Sequence, residues 1–493
     1  MRRNARSASA QGRQLPEPRA RGIDLVTRRR SDGRLTLTRD PLQMLLFLLM
    51  VVTISRIHLY YHVIAKYRPA LVLCGIAVLY AFLNRPALVY AKALSVWPMR
   101  VIALLLLLAC CSAPFGITLG GSALFIIESY SKTILVALLL FLSVRNVRDL
   151  YTYVWAFVTS CAILCYFAVF VFALATGDSL TARLGELYTY DSNDLGVLLV
   201  MGLALTLLLL FVDRGVKRWL LLLNLVGISV AMARSGSRGG FLGLIAVGIA
   251  TLTLVNGFSA TRRWVVLTSG AVILAVASPR GYWQQMATIL APQKDYNFTS
   301  IDGRTALMKR GIRYMVEYPV FGIGISNFPK AECTIALELA LRPSGETLTC
   351  RAPHNSYVQA GAELGVPGLT TWLCLVFGLV LAPLRLRRRF PKAWLKGTGT
   401  ERFLYASASF FPVAACGFAV TSFFVTFAFS DPIYIMAALY SALYAVSQAH
   451  IRSYSGALAA TLPPEGTASR AAGWRVRASA RLFLSPTSFG GAS

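Results

Sequence analysis

Apolar runs alternate with short basic loops along most of the chain, and one long polar stretch, Asp302 to Gly368, interrupts them. Twelve runs are candidate membrane spans: residues 42–57, 68–84, 99–114, 125–143, 152–175, 194–212, 218–233, 239–256, 263–279, 366–384, 405–427 and 432–450. Several fall short of the roughly 20 residues that a perpendicular helix needs to cross a bilayer. The pattern predicts an all-α polytopic membrane protein of about twelve transmembrane helices. One large loop, residues 280–366, lies between spans nine and ten. Residues 1–40, with eleven arginines, read as a disordered cytoplasmic tail, residues 41–450 as the membrane domain, and residues 451–493 as a second disordered cytoplasmic tail.

Charge orients the spans. With a cytoplasmic N-terminus, the inner loops carry Arg85 and Lys92, Arg145 and Arg148, Arg214, Lys217 and Arg218, Arg262 and Arg263, and a final cluster from Arg385 to Arg402. The outer loops near 115–124 and 428–431 carry no Lys or Arg. One frame accounts for the set, as the positive-inside rule requires. It predicts a multi-pass protein with both termini cytoplasmic, and it puts the 280–366 loop on the outer face, which is the periplasm of a bacterial inner-membrane protein if the host has two membranes. A net charge of +28, from 49 Lys and Arg against 21 Asp and Glu, suggests nucleic acid in a soluble protein. Here 56% of residues are hydrophobic and the basic loops explain the excess, so no nucleic-acid partner is expected.

Some arginines break the bias. Arg183 falls in the outer segment 176–193, and Arg234 and Arg238 in the tight outer turn 234–238. Arg304 follows Asp302-Gly303 in the large loop, where His354 lies between Pro353 and Asn355. An arginine held on the outer side near lipid needs a partner or a task. Its planar fork suits phosphate oxygens, and it stays charged when partly desolvated. A neutral imidazole near pH 7 accepts a proton from an attacking hydroxyl. Asn355, Tyr357 and Glu363 are candidates for acceptor contact or loop support. Lys309, Arg310 and Arg313 fall on an amphipathic helix ending near Tyr318-Pro319, with a lipid-facing and a catalytic role equally open to them. The Gly322/Gly324 turn lacks the full glycine fingerprint of a nucleotide loop. His58 and His62 stand at i,i+4 with no acidic residue close by, so no metal is assigned. Cys333 and Cys350, 17 positions apart in the outer loop, are a candidate disulfide.

Several segments resemble a known family in order and spacing. Ser237-Arg238-Gly239-Gly240-Phe241-Leu242-Gly243-Leu244, Asp302-Gly303-Arg304, Glu317-Tyr318-Pro319-Val320-Phe321-Gly322-Ile323-Gly324, Pro353-His354-Asn355-Ser356-Tyr357 and Glu363-Leu364-Gly365-Val366-Pro367-Gly368-Leu369 resemble the bacterial O-antigen ligase and polymerase family. These are integral-membrane glycosyltransferases that use polyprenyl-diphosphate-linked glycans. The motif resemblance covers about residues 180–370 and departs from the family's pattern at Asp191-Ser192-Asn193-Asp194.

The resemblance implies inverting transfer of a glycan from an undecaprenyl-diphosphate carrier to an acceptor sugar hydroxyl on the periplasmic face. Arg238 and Arg304 then hold the donor diphosphate with help from Arg183, and His354 acts on the acceptor. No cofactor is implied. The acceptor is lipid A-core for a ligase and a second lipid-linked glycan for a polymerase, and the donor-side arginines serve both. Membrane lipids and polysaccharide-assembly proteins are candidate partners. A transporter or flippase of a lipid-linked glycan or other anion is the alternative. It would distribute polar groups through the midplane or over an inverted repeat, whereas here they gather on one face.

Overall fold

The computed structural model of the protein describes residues 35–84, 93–176, 182–185, 187–255, 259–291, 303–335 and 350–460. The tail residues 1–34 and 461–493, Arg85, Lys92 and Asp302 lie outside them. In chain order come α1 (Pro41–Ser55), α2 (Pro69–Leu83), α3 (Trp97–Ser112), α4 (Leu119–Ser143) and α5 (Val147–Val171). An antiparallel ribbon of β1 (Leu174–Thr176) and β2 (Ala182–Leu184) precedes α6 (Ser192–Val212), α7 (Val216–Ser235), α8 (Arg238–Leu254) and α9 (Ala260–Ala277). Three short helices, α10 (Tyr282–Ala287), α11 (Arg304–Glu317) and α12 (Phe328–Thr334), lead to α13 (Ser356–Arg387), α14 (Gly399–Thr421) and α15 (Asp431–Ala460).

Among the described residues, eight helices are long and apolar enough to cross a membrane: α3 to α7, α9, α13 and α14. The protein is a helix-rich, multi-pass membrane protein. Helices α1, α2 and α8 are apolar but shorter. Polar caps fix where several helices begin. Asp40 accepts from Leu42 N, Asn146 and Asp149 form a capping box, and Thr398 and Glu401 form another. Such caps satisfy backbone N–H groups that have no partner inside the helix.

Helices α6 and α14 are the centre. In each, 83% of the apolar window is buried, against 6% for α9, which stands at the edge of the bundle. Helix α8 docks on α6 where both begin, because Gly196 and Gly240 meet there. A Cβ on Gly196 would lie 3.1 Å from Gly240 Cα. Small residues of this kind let membrane helices approach closely.

Two segments differ from the sequence expectation. Residues 356–365, assigned to the large loop, are the outer part of α13. The helix breaks at Gly365 (φ 69°, ψ −170°) and resumes through Pro367. Val366 N, freed by the break, donates to Pro319 O at 2.8 Å, and a Cβ at Gly365 would clash with that same oxygen at 2.5 Å. Polarity along 356–365 resembles a loop because this turn of helix stands among polar loop segments. Residues 451–460, assigned to the C-terminal tail, continue α15, and Tyr454 and His450 pack their rings on Trp394.

Candidate functional site

Of the site residues predicted from sequence, Arg238, Arg304 and Asn355 stand at helix starts. Asp191 caps α6, accepting from Asn193 N and Asp194 N in a capping box with Asp194. Ser237 caps α8 by accepting from Gly240 N, and Asn355 caps α13 by accepting from Tyr357 N and Val358 N. Arg304 is the first residue of α11. The α6 and α8 starts are joined by a hydrogen bond from Ser237 Oγ to Asn193 Oδ1, 2.8 Å long. Helix starts carry partial positive charge, which at α6 is met by the Asp191 and Asp194 carboxylates and at α8 has Arg238 beside it.

His354 is half-buried in the segment leading into α13. Its backbone N donates to Thr426 Oγ1 at 3.1 Å, and its φ of 46° is left-handed, a costly setting for a residue other than glycine. Next to it, Ser356 Oγ donates to Val425 O and accepts from Phe427 N. The 425–428 segment therefore fixes the backbone that carries the imidazole. Burial pushes the imidazole below its ordinary pKa of 6.5, and the charges of Arg304 and Arg351 push it further. Asp191 opposes them. His354 is thereby neutral at pH 7, the form that accepts a proton.

Arg304 lies within electrostatic reach of His354 and of Asp194 in the first turn of α6. Arg238 opens α8, and its Nη1 donates to Thr288 Oγ1 at 2.8 Å, just past α10. Arg183 lies in β2, paired with Ala175 of β1. That strand is tied to the α6 start by Ser192 Oγ, which donates to Leu184 O at 2.8 Å. Arg304, His354 and the α6 start thus share one neighbourhood, and the α8 start adjoins it through Asn193.

Other residues singled out in the sequence hold the architecture. Glu363 is buried and accepts from Ser326 N (2.8 Å) and Phe328 N (3.3 Å), which pins the Gly322–Phe328 turn to α13. Tyr357 donates to Ala419 O and stacks on Phe423. Arg234 donates to Ala168 O and Phe172 O, closing the end of α7 on the end of α5. Arg310 departs from the expectation of a lipid-facing or catalytic residue. It is 4% exposed and ion-paired with Glu332 at 2.7 Å, because its position on α11 faces α12. Cys333, beside Glu332, is disulfide-bonded to Cys350. His58 and His62 fall on separate one-turn helices broken at Tyr61, so their i,i+4 register is lost.

Three neighbours of the site were not singled out from sequence. Asp191 and Arg351 act on His354, and Arg56, stacked over Tyr190 at 4.5 Å, is within electrostatic reach of Asp194. The Asp191-x-x-Asp194 spacing is a capping signature, the signal by which sequence would have found Asp191 as the start of a helix. Arg56 was hidden at the end of an apolar run.

Residues 223–373 match the family model described as O-antigen ligase. That stretch contains Arg238, Arg304 and His354, while Arg183 and Asp191 precede it. No curated protein matches the chain.

Proposed function

We propose that the protein is an inverting glycosyltransferase that moves a glycan from an undecaprenyl-diphosphate carrier to an acceptor sugar hydroxyl on the periplasmic face. The observation that carries this reading is that His354 and Arg304, a neutral base beside a cation, both fall within the stretch similar to O-antigen ligases and share a neighbourhood with the α6 start, which precedes it. The membrane domain then has twelve spans, the eight long helices together with α1, α2, α8 and α15, and both termini are cytoplasmic.

The acceptor oxygen attacks the anomeric carbon from the face opposite the diphosphate, and its proton passes to the imidazole of His354. The bond from that carbon to the diphosphate oxygen breaks, and its electron pair leaves with undecaprenyl diphosphate. Arg238 and Arg304 neutralise the departing oxygens, and Arg183 assists. A diphosphate is already a good leaving group, so fixed cations contribute more than a strong acid. Holding both substrates together supplies the proximity term. Because guanidinium groups carry this charge, the reaction is expected to survive EDTA.

The test is purified protein given a defined undecaprenyl-diphosphate oligosaccharide with lipid A-core or a second lipid-linked glycan as acceptor. Product identity distinguishes ligase from polymerase. His354→Ala and Arg304→Ala are each expected to abolish transfer, and wild-type yield from either removes that residue from the mechanism. Transport in vesicles without transfer overturns the enzyme reading.

A further inference from the structure

A cavity of about 1120 Å³ lies between α6, α7, α8 and α9, walled by apolar side chains such as Leu207 and Val266. Its far mouth gathers Arg214, Arg218, Arg262 and Arg402. This mouth sits at the end of α6 remote from Asp191: Asp213 follows Val212, at the end of a 21-residue helix. Such a helix spans about 30 Å, the thickness of the hydrocarbon core.

Positive loops are ordinary on a cytoplasmic face, but these four guanidinium groups share the rim of one apolar cavity with little to neutralise them. Asp213 is the carboxylate at that rim. It is already held by Tyr151 OH, which donates at 2.8 Å, and by Trp155 Nε1 at 3.2 Å. Arg402 donates from Nη2 to Val212 O, yet its Nε is buried with no hydrogen-bond partner. The Arg214 charge repels Arg402, and the Asp213 carboxylate attracts it. Like charges gathered over an apolar space fit an amphiphilic anion with its charge at the rim.

We propose that this cavity seats one anionic phospholipid of the leaflet opposite His354. Its phosphate sits among Arg214, Arg218, Arg262 and Arg402, and its acyl chains lie between α9 and the bundle. Guanidinium pairs well with phosphate oxygens, and basic pockets between membrane helices bind lipid head groups. A polyprenyl chain entering from the His354 side is uncharged along its length and leaves the arginines unexplained. The inference depends on the chain being embedded in a membrane and is independent of the transfer reaction.

The experiment uses the full chain in nanodiscs of phosphatidylcholine and phosphatidylglycerol, extracted into detergent and read by native mass spectrometry for retained lipid. The wild type is expected to retain phosphatidylglycerol in preference to phosphatidylcholine. The double variant Arg214→Gln, Arg262→Gln is expected to weaken that preference about tenfold. A second variant leaves the charges intact. Gly270 lines the cavity on α9, and a Cβ there would meet only Ser229 Oγ at 3.9 Å. Gly270→Leu is therefore expected to fold, fill the space and lose the retained lipid. Equal retention of the two lipids by the wild type overturns the proposal, and so does undiminished phosphatidylglycerol on Gly270→Leu. If the double variant does not fold, Gly270→Leu decides.

Discussion

Ser237 Oγ donates to Asn193 Oδ1 over 2.8 Å and accepts from Gly240 N at 3.0 Å. One hydroxyl therefore caps α8 and docks it on α6. Ser237→Ala leaves a buried acceptor and a helix N–H unsatisfied, a loss of about 1–2 kcal/mol. Because Arg238 is the next residue, transfer is expected to fall more steeply than thermal stability. Melting temperature and transfer rate on a defined lipid-linked oligosaccharide check this. A folded variant with the wild-type rate separates the cap from the site.

The acid limb of the reaction is expected below pH 6.5, since burial first and Arg304 next hold His354 below that value. Arg351→Gln removes a charge that lowers the imidazole and is expected to move the limb to higher pH. Asp191→Asn removes the charge that raises it and is expected to move the limb to lower pH. Stability follows the same sign. Above pH 6.5 His354 is neutral in both folded and unfolded chains, and as pH falls the unfolded chain takes the proton first, so stability declines toward acid. Rate–pH profiles of the three chains decide, and shifts in the same direction for both variants contradict the arrangement.

His354 holds its φ of 46° at a cost of about 1 kcal/mol relative to glycine. His354→Gly is expected to match or exceed the wild-type melting temperature while losing transfer. His354→Ala keeps the strain and is expected to melt lower than His354→Gly. Transfer by either variant at the wild-type rate excludes His354 as the base.

Arg310 and Glu332 form a buried pair that Tyr314 OH joins. Arg310→Ala strands a buried carboxylate, and the expected loss is about 3–5 kcal/mol. Arg310→Met combined with Glu332→Leu removes both charges and is expected to recover most of it. Denaturation of the two chains measures the difference, and a double variant no more stable than Arg310→Ala rejects this account of the pair.

The helices were legible in the sequence because hydrophobic periods and caps are local. Each predicted apolar run coincides with a helix, from α1 at Pro41 to α15 at Asp431. The outer turns of α13 were not legible. Whether residues 356–365 are loop or helix depends on Pro319 O receiving Val366 N and on Glu363 receiving two amides from a distant turn. Arg310 misled for a related reason. A basic helical face reads alike whether it meets lipid head groups or a buried Glu332.

Sequence alone determined that the chain lives in a membrane, that its arginines and His354 are candidates for handling an anion, and that a polar stretch separates two sets of spans. Those properties follow from residue types and short-range spacing. Tertiary structure decided which of them meet. It put Arg304, Asp191 and His354 in one neighbourhood, and made the neutral imidazole a consequence of burial and surrounding charge. It also gave Arg234 and Arg310 to architecture. Packing sets which side chains share a neighbourhood, and charges act through space with no regard to separation along the chain.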